Sequence, residues 1–264
     1  MKNIRIDGDK SIAHRALMLA SLMPGVSEIF NVPHCSDVST TIACLSDLGA
    51  KIVQSNKSVS VVGGDFVNDV SIDVGESGTT ARLIIGLLAG RGIRAKVYCS
   101  GSLLSRPMNR IIDPLSKMGA IIDSNNGRIP ITIKSGISRG GSFSPRIASA
   151  QVKSSLSLAS LSSGHDVEII EKSPTRDHLE RMLYLLDPNA ININKNKINI
   201  YGSQFKCKRF SISIPGDTSS ATFIILASIL CDRPIKVKGV LLNKRRVGFI
   251  NKLIKVGASI SFEN

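Results

Sequence analysis

The chain has 264 residues, 42% of them hydrophobic, which is enough for a sizeable core in one large or two ordinary domains. Only 4% are aromatic and Trp is absent, so the core must be aliphatic and the stacking platforms of a single-strand nucleic-acid binder are scarce. The formal charge of +14 suits an anionic partner, but the cations are scattered, with Lys244-Arg245-Arg246 as the compact cluster; this favours a small anionic substrate over nucleic acid.

The apolar stretch from Ala16 to Met23 is too short to span a bilayer and follows Asp7 and Asp9, so neither a membrane span nor a leader is expected. Cys35, Cys44, Cys99, Cys207 and Cys231 are odd in number and irregular in spacing, without a C-x-x-C pair. That pattern argues against a disulfide framework or a metal site and for reduced thiols in the cytoplasm.

In chain order, one pattern recurs four times: a run opens with Ser, Thr or small residues and then turns apolar. The copies start at Ser11, Ser77, Ser149 and Ser219, roughly 70 residues apart. The helices so opened, such as Leu83-Ile84-Ile85-Gly86-Leu87-Leu88-Ala89 and Phe223 to Leu230, are apolar nearly all round and predict burial on every side. A second helix in each unit is amphipathic, as in Asp37 to Leu45, and should lie nearer the surface. It ends in Gly-Ala before a strand at Gly49-Ala50, Gly119-Ala120 and Gly257-Ala258, with Asn189-Ala190 as a degraded copy. Strands are expected at Val59 to Val62, Ala95 to Cys99, Ile131 to Ile133, Val167 to Ile170 and Ile235 to Lys238. The fold class read from this is α/β: repeated units, sheets outside and buried helices within.

Helix starts rich in hydroxyls and cations are anion sites, because their free N–H groups and the helix dipole favour negative charge. Lys10 flanks the first such start, and Arg15 stands one turn beyond Ser11 on the same face. Gly78 lets a ligand approach the second start, and Arg82 lies inside an apolar helix where an unpaired charge is costly. Ser105-Arg106-Pro107-Met108 sets Arg106 just ahead of a Pro expected to start a helix, Ser149-Ala150-Gln151 opens the third buried helix, and Thr175-Arg176-Asp177-His178 precedes another helix. Singly each reads as an ordinary capped helix with solvated charges; at equivalent places in a repeat, together they favour one shared anion site.

These motifs, in this order, resemble the 5-enolpyruvylshikimate-3-phosphate synthase family. They are Gly8 to Arg15, Ser77-Gly78-Thr79-Thr80 with Arg82, Arg106-Pro107-Met108, Ser149 to Ser154, Arg176-Asp177-His178 with Glu180 to Leu183, Pro215-Gly216-Asp217 with Ser219-Ser220-Ala221, and Gly248-Phe249-Ile250. The resemblance implies inside-out α/β units of the enolpyruvyl transferase type. One three-unit domain would be complete (residues 9–212), with part of a second (1–8 and 213–264). It implies transfer of the enolpyruvyl group from phosphoenolpyruvate to the 5-hydroxyl of shikimate 3-phosphate, releasing phosphate, with no metal or organic cofactor. By resemblance, Lys10, Asp37 and Gln151 are catalytic. Lys10, Ser11, Arg15, Ser149, Ala150, Gln151 and Arg176 bind shikimate 3-phosphate, and Lys10, Gly78, Arg106 and Gln151 bind phosphoenolpyruvate.

Family members continue past the position of Asn264 through two further units, which carry an acidic general base and a Lys-Glu-x-x-Arg stretch. The expectation is therefore an amino-terminal part of the enzyme, needing a complementing carboxyl-terminal polypeptide or self-association. The alternative is an inactive remnant or a non-catalytic binder of phosphorylated ligands. Two departures bear on affinity: Glu76 stands where many members have Asn, and Ser102 where an Asp often follows Gly101.

Overall fold

The computed structural model describes residues 2–56 and 58–263. The first unit holds β1 (Lys2–Arg5), α1 (Lys10–Ser21), β2 (Val26–Phe30), α2 (Ser36–Asp47), β3 (Lys51–Gln54) and β4 (Ser58–Val62). The second holds β5 (Val70–Asp73), α3 (Gly78–Arg91), β6 (Ala95–Tyr98), α4 (Asn109–Lys117), β7 (Ile121–Asn125) and β8 (Arg128–Ser135). The third holds β9 (Gly141–Phe143), α5 (Ala150–Ser163), β10 (Val167–Ile170), α6 (His178–Leu186), β11 (Ile191–Asn194) and β12 (Lys197–Ile200). Then follow β13 (Ser211–Ser213), α7 (Thr218–Leu230), β14 (Ile235–Lys238) and α8 (Gly248–Lys255).

The second and third units share one sheet plan, β5-β6-β8-β7 and β9-β10-β12-β11: a parallel first pair, then an antiparallel hairpin. In the first unit the leading strand is β13, parallel to β2, from far downstream. In turn β1 leaves its own unit and pairs in parallel with β14. The chain thus crosses twice between a three-unit body and the fourth unit. The crossings run side by side: Asp9 N–H donates to the Pro215 carbonyl at 2.8 Å, Asp217 N–H to that of Asp7 at 2.9 Å, and Gly8 bridges Gly216. A Cβ at Gly8 would overlap the Asn31 carbonyl oxygen, so only glycine fits there. A domain division after residue 212 falls inside β13, whose ladder with β2 runs from Ser211 to Ser213. The outermost residues of that division, Met1 and Asn264, lie outside the described residues.

The sheets lie outside and α1, α3 and α5 inside, because these helices have no polar face to offer water. Leu17, Leu19, Leu83, Ile84, Leu87, Leu156 and Leu158 are all fully buried, at roughly 1.5–3 kcal/mol each. Small residues let α3 and α5 approach closely. A Cβ at Gly86 or Gly90 would overlap the Ser155 or Ala159 carbonyls of α5. The outer helices α2, α4, α6 and α8 each keep an exposed face.

Several expectations need correction. Helix α7 is as apolar as α3 but is not buried: Phe223 is 75% and Leu230 77% exposed. Burial needs neighbours on every side, and only Thr218 and Ala221 of α7 are buried among the described residues. Gly49, Gly119 and Gly257 have φ near +100° as the Gly-Ala pattern predicts, but Asn189 is not left-handed. Helix α6 already ends at Leu186, where Asp187 ahead of Pro188 leaves the helical region, and 188–190 form a 3-10 turn. The strand expected after Gly257-Ala258 is absent, since residues 259–262 have no strand beside them to pair with. Helix α4 starts at Asn109, so Pro107 stands ahead of it rather than in its first turn.

Candidate functional site

The starts of α1, α3, α5 and α6 meet on one side of the three-unit body. Asp9 caps α1 by accepting from Ile12 N–H at 2.9 Å, Ser77 caps α3 and Ser149 caps α5. Each cap satisfies one free donor and leaves others facing the site.

Arg15 joins α1 to α5. Its Nη1 donates to the Ser11 carbonyl and hydroxyl at 2.8 and 2.7 Å, Nε to Ser154 Oγ at 3.0 Å, and Nη2 to the Ala150 carbonyl at 3.3 Å. Burial lowers its pKa to about 10, so it remains charged at neutral pH. Ser11 also meets His178 Nδ1 at 3.3 Å, which brings the start of α6 to the same point. Lys10 Nζ lies 2.8 Å from Asp37 Oδ2 at the open edge. Burial raises the Asp37 carboxyl, but hydrogen bonds from Lys10 and Ser77 and the Lys10 charge outweigh it, and the net value is below the usual range.

The α3 side is a cluster of guanidiniums. Arg82, 4% exposed, donates from Nη1 to the Gly78 carbonyl at 3.1 Å and to Gln151 Oε1 at 3.0 Å. Gln151 Nε2 continues to Thr79 Oγ1 at 3.0 Å. Burial, then the charges of Arg110 and Arg106, hold Arg82 at about 10. Among the described residues no carboxylate pairs with Arg82, and its Nε has no partner. A Cβ at Gly78 would stand 2.9 Å from Arg82 Nη1 and 3.3 Å from Arg106 Nη1, so both guanidiniums converge on that glycine. Arg106 Nη2 donates to Ser102 Oγ at 3.2 Å, a neutral partner that leaves its charge uncompensated. Glu76 is exposed, and its carboxylate lies over Gly101.

The fold therefore gathers Lys10, Ser11, Arg15, Asp37, Ser149 and Ala150 at the α1–α5 junction and Gly78, Arg106 and Gln151 at the α3 start. Arg176 lies beside the first group, close enough to Asp9 and Arg246 to feel their charges. It makes no hydrogen bond or ion pair with another described residue.

Two networks escaped the sequence reading. His14 Nδ1, Thr41 Oγ1, Thr80 Oγ1 and Ser77 Oγ form a buried chain with 2.7 Å steps, tying α1, α2 and α3 together. Burial, then Arg15, lowers the His14 pKa to about 3, so the ring is neutral. Lys153, 2% exposed, lies 2.9 Å from Glu171 Oε1 and 2.7 Å from Glu180 Oε1, binding α5 to α6. A lone polar residue inside an apolar run was the available signal for both; which partner it finds was not local information. Among the described residues no group of three or more His, Cys, Asp or Glu could hold a metal. The one buried cysteine among them, Cys44, has its thiol pushed up to about 12 by burial, which suits packing and not catalysis. No described helix is long and apolar enough to cross a membrane.

Chemically, the arrangement offers donors and cations in two adjacent groups, each suited to a small anion. Arg82 and Arg106 would face one, and Arg15, Arg176 and the α5 start the other, with Lys10 at the edge.

The sequence matches the family EPSP synthase (3-phosphoshikimate 1-carboxyvinyltransferase) over residues 1–264. It is 40% identical to a 3-phosphoshikimate 1-carboxyvinyltransferase of Ruthia magnifica subsp. Calyptogena magnifica, over 99% of this chain and 61% of that protein. A protein of the same name from Clostridium tetani (strain Massachusetts / E88) is also 40% identical, over 99% and 60%. The solved EPSP synthase of Acinetobacter baumannii superposes with a TM-score of 0.89 at 30% identity, covering 99% of this chain and 60% of its own. The chain thus spans about 61% of the length of the curated relatives it matches.

Proposed function

Because the chain belongs to the EPSP synthase family, we propose that it binds shikimate 3-phosphate and phosphoenolpyruvate at the joined helix starts and supplies one face of a cytoplasmic enolpyruvyl transferase. The observation that carries this is Arg82. A buried guanidinium with only carbonyl and amide partners, aimed with Arg106 at a glycine, is stable at such cost only where an anion completes it.

In the proposed reaction, carbon 3 of phosphoenolpyruvate is protonated, the 5-hydroxyl of shikimate 3-phosphate adds at carbon 2 and gives up its proton to a base, and the tetrahedral intermediate then loses phosphate together with a proton from carbon 3, which re-forms the double bond. Gly78, Arg106 and Gln151 hold phosphoenolpyruvate, and Ser149, Ala150 and Arg176 hold the shikimate phosphate. Ser11 and Arg15 lie on the shikimate 3-phosphate side. Lys10 touches both substrates and stabilises charge that grows on the departing phosphate. Asp37 holds the Lys10 ammonium in place through their 2.8 Å contact. Offsetting the repulsion between the two anions is the main task of these cations.

By resemblance the general base and the Lys-Glu-x-x-Arg stretch belong to the part of the relatives that this sequence does not span, so turnover needs the units that carry them. The open face of α7 supports that reading: Phe223, Ile224, Ile229 and Leu230 are exposed together. The test is phosphate release from both substrates by this chain, alone and with a separately expressed carboxyl-terminal part of a relative. Binding of both ligands with turnover only on complementation is expected. Binding of neither would overturn the proposal.

A further inference from the structure

The compact basic cluster that the sequence singled out lies between β14 and α8, in the fourth unit, yet its contacts reach the three-unit body as well as α7. Arg246 Nη2 reaches Asp9 Oδ2 at 3.2 Å, Asp217 Oδ1 at 3.0 Å and Ser219 Oγ at 2.8 Å. Asp9 and Asp217 cap α1 and α7, the equivalent first helices on the two sides of the double crossing. One guanidinium therefore ties two equivalent helix starts.

Asn243 Nδ2 donates to Asp177 Oδ1 at 2.6 Å, and Arg245 donates to the Thr175 carbonyl and lies 3.6 Å from Asp177 Oδ2. The residues on both sides of Arg176 are thus pinned by the same turn, while the Arg176 side chain stays unengaged. Asp9 is fully buried and stands 3.8 Å from His178, whose ring meets Ser11. Burial raises the Asp9 carboxyl, and its cap bond and Arg246 pull it back. Without Arg246, Asp9 would be a buried carboxylate directly behind Ser11, held by backbone N–H groups and left without the guanidinium in contact with it.

We propose that the turn 243–246 is a positioning clamp for the phosphate end of the shikimate subsite: it touches no ligand but fixes Ser11 through Asp9 and Arg176 through Thr175 and Asp177. This rests on the assignment of that subsite above. Its consequence is that the fourth unit, on the far side of the double crossing, sets the phosphate affinity of the first body.

The clamp should matter for the phosphate and not for the ring. The experiment is calorimetric titration of the whole chain with shikimate 3-phosphate and with shikimate, for wild type, Arg246→Ala, Arg246→Lys and Asn243→Ala. Circular dichroism melts report folding of each. Wild type should prefer the phosphorylated ligand. Arg246→Ala should lose about tenfold for it, the scale of a small misplacement of binding groups, with shikimate changed less than about twofold. Arg246→Lys should recover part of the loss, and Asn243→Ala, which leaves the Asp9 pair intact, should show a smaller loss of the same kind. A folded Arg246→Ala with unchanged preference overturns the clamp, as does equal loss for both ligands. If Arg246→Ala does not fold, Asn243→Ala decides by the same ratio. A wild type without preference for the phosphate overturns the subsite assignment itself, and the clamp with it.

Discussion

Replacing Lys153 by methionine would remove the cation that Glu171 and Glu180 share inside the third unit. Glu171 keeps other partners, the Thr175 N–H at 3.1 Å and Oγ1 at 2.6 Å. Glu180 keeps none: neither oxygen accepts a well-aligned hydrogen bond, and its side chain is 2% exposed. The penalty therefore falls on Glu180. Breaking a buried pair by removing one partner costs about 3–5 kcal/mol. At roughly 2–4 °C per kcal/mol for a chain of this size, melting should fall by about 6–20 °C.

The loss should depend on pH. Burial raises the Glu180 carboxyl above its usual value in the folded chain, so its neutral form is favoured there. Stability from that form is full below the ordinary glutamate pKa and is lost as pH rises through the folded value. Lys153 offsets the loss by holding the ionised form. The gap between wild type and Lys153→Met should accordingly be small near pH 4 and full near pH 8. Urea unfolding followed by circular dichroism across that range measures it, and Lys153→Met/Glu180→Leu should recover much of the stability. A gap below about 1 kcal/mol, or one that does not change with pH, would refute the reasoning.

Three further outcomes are expected. Gly78→Ala should weaken phosphoenolpyruvate binding about tenfold, because its Cβ displaces the Arg82 and Arg106 heads, while shikimate 3-phosphate affinity holds; equal affinities in calorimetry would show that the guanidiniums do not face a ligand there. Gly86→Val should cost at least about 1–3 kcal/mol by driving α3 from the Ser155 carbonyl of α5, and an unchanged thermal melt would mean that the helices do not touch at that point. The exposed face of α7 should make the isolated chain self-associate. Phe223→Glu with Leu230→Glu should shift it to monomer in sedimentation, and a wild-type chain that is already a stable monomer would contradict this.

What the sequence determined by itself is whatever depends on neighbours a few residues apart. The four helix starts to within a residue, the glycines at Gly49, Gly119 and Gly257, and the strands at 95–98 and 235–238 are fixed by local geometry and apolar period, whereas the caps of α1 and α7 fall on Asp9 and Asp217 ahead of the serines that open those runs. The candidate anion site was legible for the same reason, since each cluster is contiguous at a helix start and the repeat marks them as equivalent. Motif order carried the family.

What only the tertiary structure decided is pairing across long separations. No local signal shows that β1 leaves for β14 while β13 returns to β2, because strand exchange is chosen by which sheet edge is free. The same holds for Arg15 binding the Ala150 carbonyl, for Lys153 between two carboxylates, and for Arg246 spanning Asp9 and Asp217. Burial of α3 and exposure of the equally apolar α7 show the limit most plainly. A sequence states that a face seeks cover, and packing supplies the cover to one helix and not the other.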